Sequence, residues 1–120
     1  MKTSILYFVI LGLFLTLTAF AENGEKKKKV ETLEFEVSGV CGACEKRIEK
    51  AALIKGVKMA EWDKHTQKIK VIYSTKKVDE NAIHQAIAKA GHDTKKVKAT
   101  DEAYAQLSDC CKYRDGVEIH

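Results

Sequence analysis

Four cysteines carry most of the chemistry this chain offers, and they come in two pairs. Cys41 and Cys44 stand three positions apart in "SGVCGAC"; Cys110 and Cys111 are adjacent in "LSDCCKY". Thiols can staple a fold, exchange disulfides, or hold a soft metal ion as thiolates, and C-x-x-C spacing alone fits all three. Two sulfurs suffice for a linear, two-coordinate soft ion such as Cu(I) or Hg(II), with Zn(II) as the borderline case. They do not close a structural zinc site, which takes four ligands, and the second pair lacks the usual C-x-x-C spacing. A bond between Cys110 and Cys111 would be strained, because neighbouring Cα atoms lie about 3.8 Å apart against the roughly 4.4 Å minimum usual for disulfides. Either the tail folds back and lends these thiolates to the first pair, or they serve a disulfide or a separate role. The other candidate donor is His92, after Gly91; Met59, Trp62, His65 and His84 read as packing or surface residues. No serine-histidine-acid set, catalytic carboxylate pair or phosphate-binding loop is visible, so an enzyme is not expected.

The elements that must position Cys41 and Cys44 are legible around them. Leu33, Phe35 and Val37 alternate with Thr32, Glu34 and Glu36, the pattern of a half-buried strand. Gly39 and Gly42 break it, and from Ala43 to about Ile54 an apolar stripe through Cys44, Ile48, Ala51 and Ala52 predicts a helix that Gly56 ends. Cys41 thus falls in the loop and Cys44 in the first helical turn. Free N–H groups and the positive end of the helix dipole there favour thiolate over thiol, with Lys46 and Arg47 near in sequence. Val57–Asp63 and Lys68–Tyr73, split by "KHTQ", predict a hairpin. Asp79 is the expected cap of a second helix through Ala82, Ile83, Ala86, Ile87 and Ala90, closed by Gly91. "KKVKA" (95–99) is expected as a short last strand, and "TDEAYAQL" as one or two helical turns capped by Thr100 or Asp101. The order β-α-β-β-α-β predicts an α+β, ferredoxin-like sandwich: an antiparallel sheet with two helices on one face.

On these residues, 32–92 resemble a heavy-metal-associated domain, the module of copper chaperones, metal-ATPase N-terminal domains and periplasmic mercury-binding proteins. The carriers of the resemblance are "SGVCGAC", "EKRIEKAALIKGV", "KIKVIYS" and "DENAIHQAIAKAGHD", in that order. It implies that Cys41 and Cys44 bind a soft ion, Cu(I) first, Hg(II) or Zn(II) next, and pass it to a metal transporter or another carrier by thiolate exchange. Cys110, Cys111 and His92 are the further candidate ligands. Two positions depart from the family pattern. Gly39 stands where a methionine usually packs under the loop, which predicts a more mobile loop or a different metal preference. His92 replaces a common tyrosine, in a place that lies near the metal loop in some members.

The rival reading is a small periplasmic thiol-disulfide oxidoreductase. Val40, where a tryptophan usually precedes the first cysteine, counts against it, as do the short length and the lack of a parallel βαβ core. A chain with no proline also has no cis-proline.

Residues 1–21 are expected to be a signal peptide. Ile5–Phe20 is an uncharged apolar run of 16 residues after Lys2, short of the roughly 20 needed to span a bilayer, and Ala19-Phe20-Ala21 gives the small-residue cleavage pattern before Glu22. An uncleaved anchor is the alternative. Export, to the periplasm or beyond, follows from cleavage. Residues 22–30 then read as a charged linker, 31–99 as the metal-binding domain and 100–120 as a C-terminal extension. A net charge of +4 over 120 residues is mild, its bases are interspersed with acids, and no nucleic-acid motif accompanies them. Membrane contact is expected only through the signal segment.

Overall fold

Alternating residues place one face of every strand against the helices. In the computed structural model, which describes residues 29–120, β1 (Val30–Glu36) runs antiparallel to β3 (Lys68–Ser74), and β3 also pairs with β2 (Val57–Asp63). The sheet order is β1-β3-β2. Phe35 lies opposite Ile69 on one side, and Trp62 opposite Ile69 on the other, so the buried side chains of the three strands share a face. The expected signal peptide and most of the charged linker lie outside the described residues.

Two helices cover that face. α1 (Gly42–Ala52) buries Cys44, Ile48 and Ala52; α2 (Glu80–Lys89) buries Ile83 and Ile87, and these close over Phe35, Val37, Ile69, Val71 and Trp62 in one core. Each such aliphatic or aromatic side chain contributes roughly 1.5–3 kcal/mol by leaving water. Asp79 caps α2 as expected, its carboxylate accepting the Ala82 N–H at 2.8 Å. The fold is the ferredoxin-like sandwich anticipated from the element order.

Two expectations need correction. Residues 95–99 do not form a strand; the fourth strand shrinks to one bridge between Val37 and Thr94. Ser38 N–H to the Asp93 carbonyl (2.9 Å) and Lys95 N–H to the Glu36 carbonyl (3.0 Å) flank it. Beyond that, side chains take the donors a ladder would use: Thr94 Oγ1 accepts from Lys96 and Val97, and the Asp93 carboxylate from Ala99. His84 is fully buried rather than on the surface. Its ring stacks on Phe35 at 3.8 Å, and Nδ1 lies 2.7 Å from the Thr94 hydroxyl, so the apolar stripe of α2 is wider than its aliphatic residues suggest.

The chain then returns across the same end of the molecule. α3 (Asp101–Ala105) is capped by Thr100, whose hydroxyl accepts the Ala103 N–H at 3.1 Å. It buries Tyr104, and Leu107 follows into the core. Gly91, at φ +108°, permits this: a Cβ there would stand 2.9 Å from both the Ala103 carbonyl oxygen and the Leu107 side chain. Two short 3₁₀ turns, Asp109–Cys111 and Tyr113–Asp115, complete the extension.

Candidate metal centre

Cys41 is the N-cap of α1. Its backbone is extended (φ −151°, ψ 177°) and its carbonyl accepts the Glu45 N–H at 3.0 Å, while its side chain makes no capping bond. The sulfur is therefore free to face its neighbours beside the unpaired N–H groups that open the helix. Cys44, one turn on, is fully buried. Their Sγ atoms are 3.5 Å apart.

The extension delivers a third sulfur to the same point. Cys111 Sγ lies 3.4 Å from Cys41 Sγ, and the ligand atoms of Cys41, Cys44 and Cys111 all fall within 4.8 Å of one another. All three residues are buried. Cys110 is exposed, with Sγ 3.9 Å from that of Cys41 and 4.0 Å from that of Cys111. All four are free thiols. Burial, and after it the hydrogen bonds to Cys44 and Cys41, push the Cys111 thiol well above its ordinary range, so a metal ion would have to displace its proton.

His92 stands outside this sulfur group. It is fully buried; its Nδ1–H donates to the Ser38 carbonyl at 2.8 Å and its ring stacks on Tyr113, centroids 5.6 Å apart. Burial outweighs the pull of the Ser38 carbonyl and lowers its pKa to about 4, so the ring is neutral, and Nε2 has no hydrogen-bond partner.

The loop, whose Gly39 predicts either greater mobility or a different metal preference, is tied to the sheet and the hairpin by specific contacts. The Trp62 ring fills the space beneath it: a Cβ on residue 39 would meet two ring atoms at 2.9 Å. Trp62 Nε1–H donates to the Val37 carbonyl at 3.0 Å. Gln67 clamps Gly39 from the hairpin, its Oε1 accepting the Gly39 N–H at 3.1 Å and its Nε2 donating to the Gly39 carbonyl at 2.7 Å. Gln67 was not singled out from sequence. The one available signal was its place at the end of the β2–β3 turn, where it takes a left-handed φ of 63°.

The extension is anchored on both sides of its cysteines. Upstream, Tyr104 and Leu107 are buried. Downstream, the Tyr113 hydroxyl donates to the Gly91 carbonyl at 2.7 Å and accepts the Asp93 N–H at 2.9 Å. Arg114 reaches Asp93 at 2.8 Å, the Ala99 carbonyl at 2.7 Å and Asp101 at 3.2 Å. Burial works against the Asp93 carboxylate, yet Arg114 and the Ala99 N–H together hold it below the usual range. At the far end the His120 N–H donates to the Val40 carbonyl at 2.8 Å.

Comparison with known proteins places this arrangement. Residues 34–93 match the heavy-metal-associated domain. Among solved structures, a CopZ metallochaperone is similar at 29% identity and a TM-score of 0.52, over 53% of this chain and 98% of that one. The N-terminal domain of a potential copper-translocating P-type ATPase from Bacillus subtilis, in its Cu(I)-loaded state, is similar at 32% identity and 0.52, over 60% and 92%. Oxidized MerP from Ralstonia metallidurans CH34 follows at 25% identity and 0.51, over 54% and 93%. No curated protein matches. With the family pattern spanning half of its length and the paired thiols at the strand-to-helix junction, the chain belongs to the heavy-metal-associated domain family.

Proposed function

We propose that the protein is an exported carrier that binds Cu(I) through Cys41 and Cys44 and passes it on by thiolate exchange. The observation that carries this reading is the pair of free thiols 3.5 Å apart at the N-terminus of α1, within a heavy-metal-associated fold. Thiolates suit soft ions, and the similar structures include a metallochaperone and a Cu(I)-loaded ATPase domain. Hg(II), no less soft, ranks second because the similar structures named above are mostly copper proteins, and Zn(II), a borderline ion, ranks third. The receiving partner is a metal transporter or another carrier, to which the ion moves without a change of oxidation state. Binding and release, not catalysis, are the activity.

Competition against a coloured Cu(I) chelator tests this. Reduced wild-type protein takes one ion per chain, and Cys41→Ser or Cys44→Ser each weaken uptake by more than about 100-fold, beyond the roughly 10–100-fold that outer-shell losses cost. The same titration with Hg(II) and Zn(II) ranks the metals. Insulin reduction by the protein together with no retention of any soft ion would instead establish the thiol oxidoreductase. For export, N-terminal sequencing of the protein recovered from the cell envelope gives Glu22 as the first residue; a chain still starting at Met1 would contradict cleavage.

A further inference from the structure

We infer that the C-terminal extension completes the metal site, with Cys111 as a third sulfur ligand and exposed Cys110 as the thiol through which the ion leaves. This rests on the reading of Cys41 and Cys44 as the primary ligands. Metal–sulfur bonds of about 2.3 Å set the spacing each geometry needs. A linear ion separates two sulfurs by roughly 4.6 Å, whereas a three-coordinate ion separates each pair by roughly 4.0 Å. Cys41 Sγ is 3.5 Å from Cys44 Sγ and 3.4 Å from Cys111 Sγ, and Cys44 Sγ and Cys111 Sγ lie within 4.8 Å of each other. Shifts of under about an ångström therefore bring the three edges to trigonal spacing, while a linear ion requires the Cys41–Cys44 pair to open by about an ångström.

The position of Cys111 does not depend on the thiols alone. Its N–H donates to the Ser108 carbonyl at 2.9 Å, and Leu107 on one side and Tyr113 and Arg114 on the other fix the backbone to the Gly91–Asp93 segment. A ligand held this way is in place before the ion arrives, so little ordering entropy is lost on binding.

Such a site is closed. Cys41, Cys44 and Cys111 are buried, and the chain passes over Val40 at His120, so an incoming partner thiol cannot reach the ion directly. Cys110 is the exposed thiol of the four and sits 3.9 Å from Cys41 Sγ. In the handover, the Cys110 sulfur bonds to the ion as the Cys41–ion bond breaks. The proton leaving Cys110 goes to the freed Cys41 thiolate, and the ion stays Cu(I). The ion, now on an exposed sulfur, is open to the partner.

X-ray absorption of the Cu(I)-loaded wild-type protein tests the ligand count without any substitution: three sulfurs are expected, and a two-sulfur first shell overturns the inference. Cys111→Ser, checked for folding by circular dichroism, should bind Cu(I) more than about 10-fold more weakly and show two sulfurs. If Cys41→Ser loses the ion while Cys111→Ser keeps wild-type affinity, the third ligand fails and the primary pair stands. If neither substitution affects binding, the primary reading fails as well. Stopped-flow transfer to excess chelator should slow at least several-fold in Cys110→Ser, and a wild-type rate would remove Cys110 from the exit. Peptide mapping that finds Cys111 disulfide-bonded to Cys41 in protein taken directly from the cell envelope would also overturn the assignment.

Discussion

Gly39 and Trp62 set how closely the cysteine loop lies on the sheet. Because a side chain at 39 would collide with the indole, Gly39→Ala should destabilise the fold by about 1–3 kcal/mol, the usual cost of overpacking. Gly42→Ala, two residues before Cys44, meets nothing within 4 Å and should be neutral or slightly stabilising at the start of α1. Urea denaturation of the two variants checks the contrast, and equal effects would contradict it. His92 makes a second prediction. The unfolded chain takes up a proton near pH 6.5, but burial keeps the folded ring neutral until about pH 4. Between those values the unfolded state binds more protons, so stability is full above pH 6.5 and declines as pH falls toward 4, by at most about 3 kcal/mol from this residue. Buried His84, also lowered mainly by burial, acts in the same direction. His92→Phe should therefore flatten the pH 4–6.5 stability curve of the metal-free, reduced protein without abolishing its slope; an unchanged slope would contradict this. At this scale the sequence displayed the cysteine pair plainly. It could not display Trp62 and Gln67 as supports for Gly39, because both act through contacts more than twenty residues away along the chain.

The elements divide by whether their signals are local. β1, the β2–β3 hairpin and both helices follow from alternation, apolar stripes and caps, and Asp79 caps α2 as its sequence suggests. The last strand failed for a physical reason: Thr94 and Asp93 side chains take the backbone donors of residues 96, 97 and 99, a competition that periodicity does not reveal. The extension behaves as an element too, although only Thr100 and the α3 pattern announced it. Its polar lock is Arg114, half-buried across Asp93, Ala99 and Asp101. Arg114→Ala should cost about 1–3 kcal/mol, the range for charged hydrogen bonds lost. Hydrogen exchange should locate the loss: amides of residues 108–114 exchange faster, while those of β3 do so only through global unfolding. Uniform acceleration across the sheet, with no local effect in the extension, would contradict an independently docked lock.

For the whole molecule, the fold gathers three thiols from two distant parts of the chain, 41–44 and 111, at one end of the sandwich. The sequence made the first pair legible and left the second open, because adjacent cysteines carry no spacing that fixes where they dock. The family match ends at residue 93, and the chain beyond it makes an anchored return that reaches the cysteine loop at Val40. Under the proposed function these cysteines together hold one soft ion per chain. Native mass spectrometry of the fully reduced chain after Cu(I) addition tests it most directly, beside a Cys41→Ser/Cys44→Ser double variant. One copper per wild-type chain and none on the double variant is the predicted result; equal copper on both, or none on the reduced wild type, would contradict it.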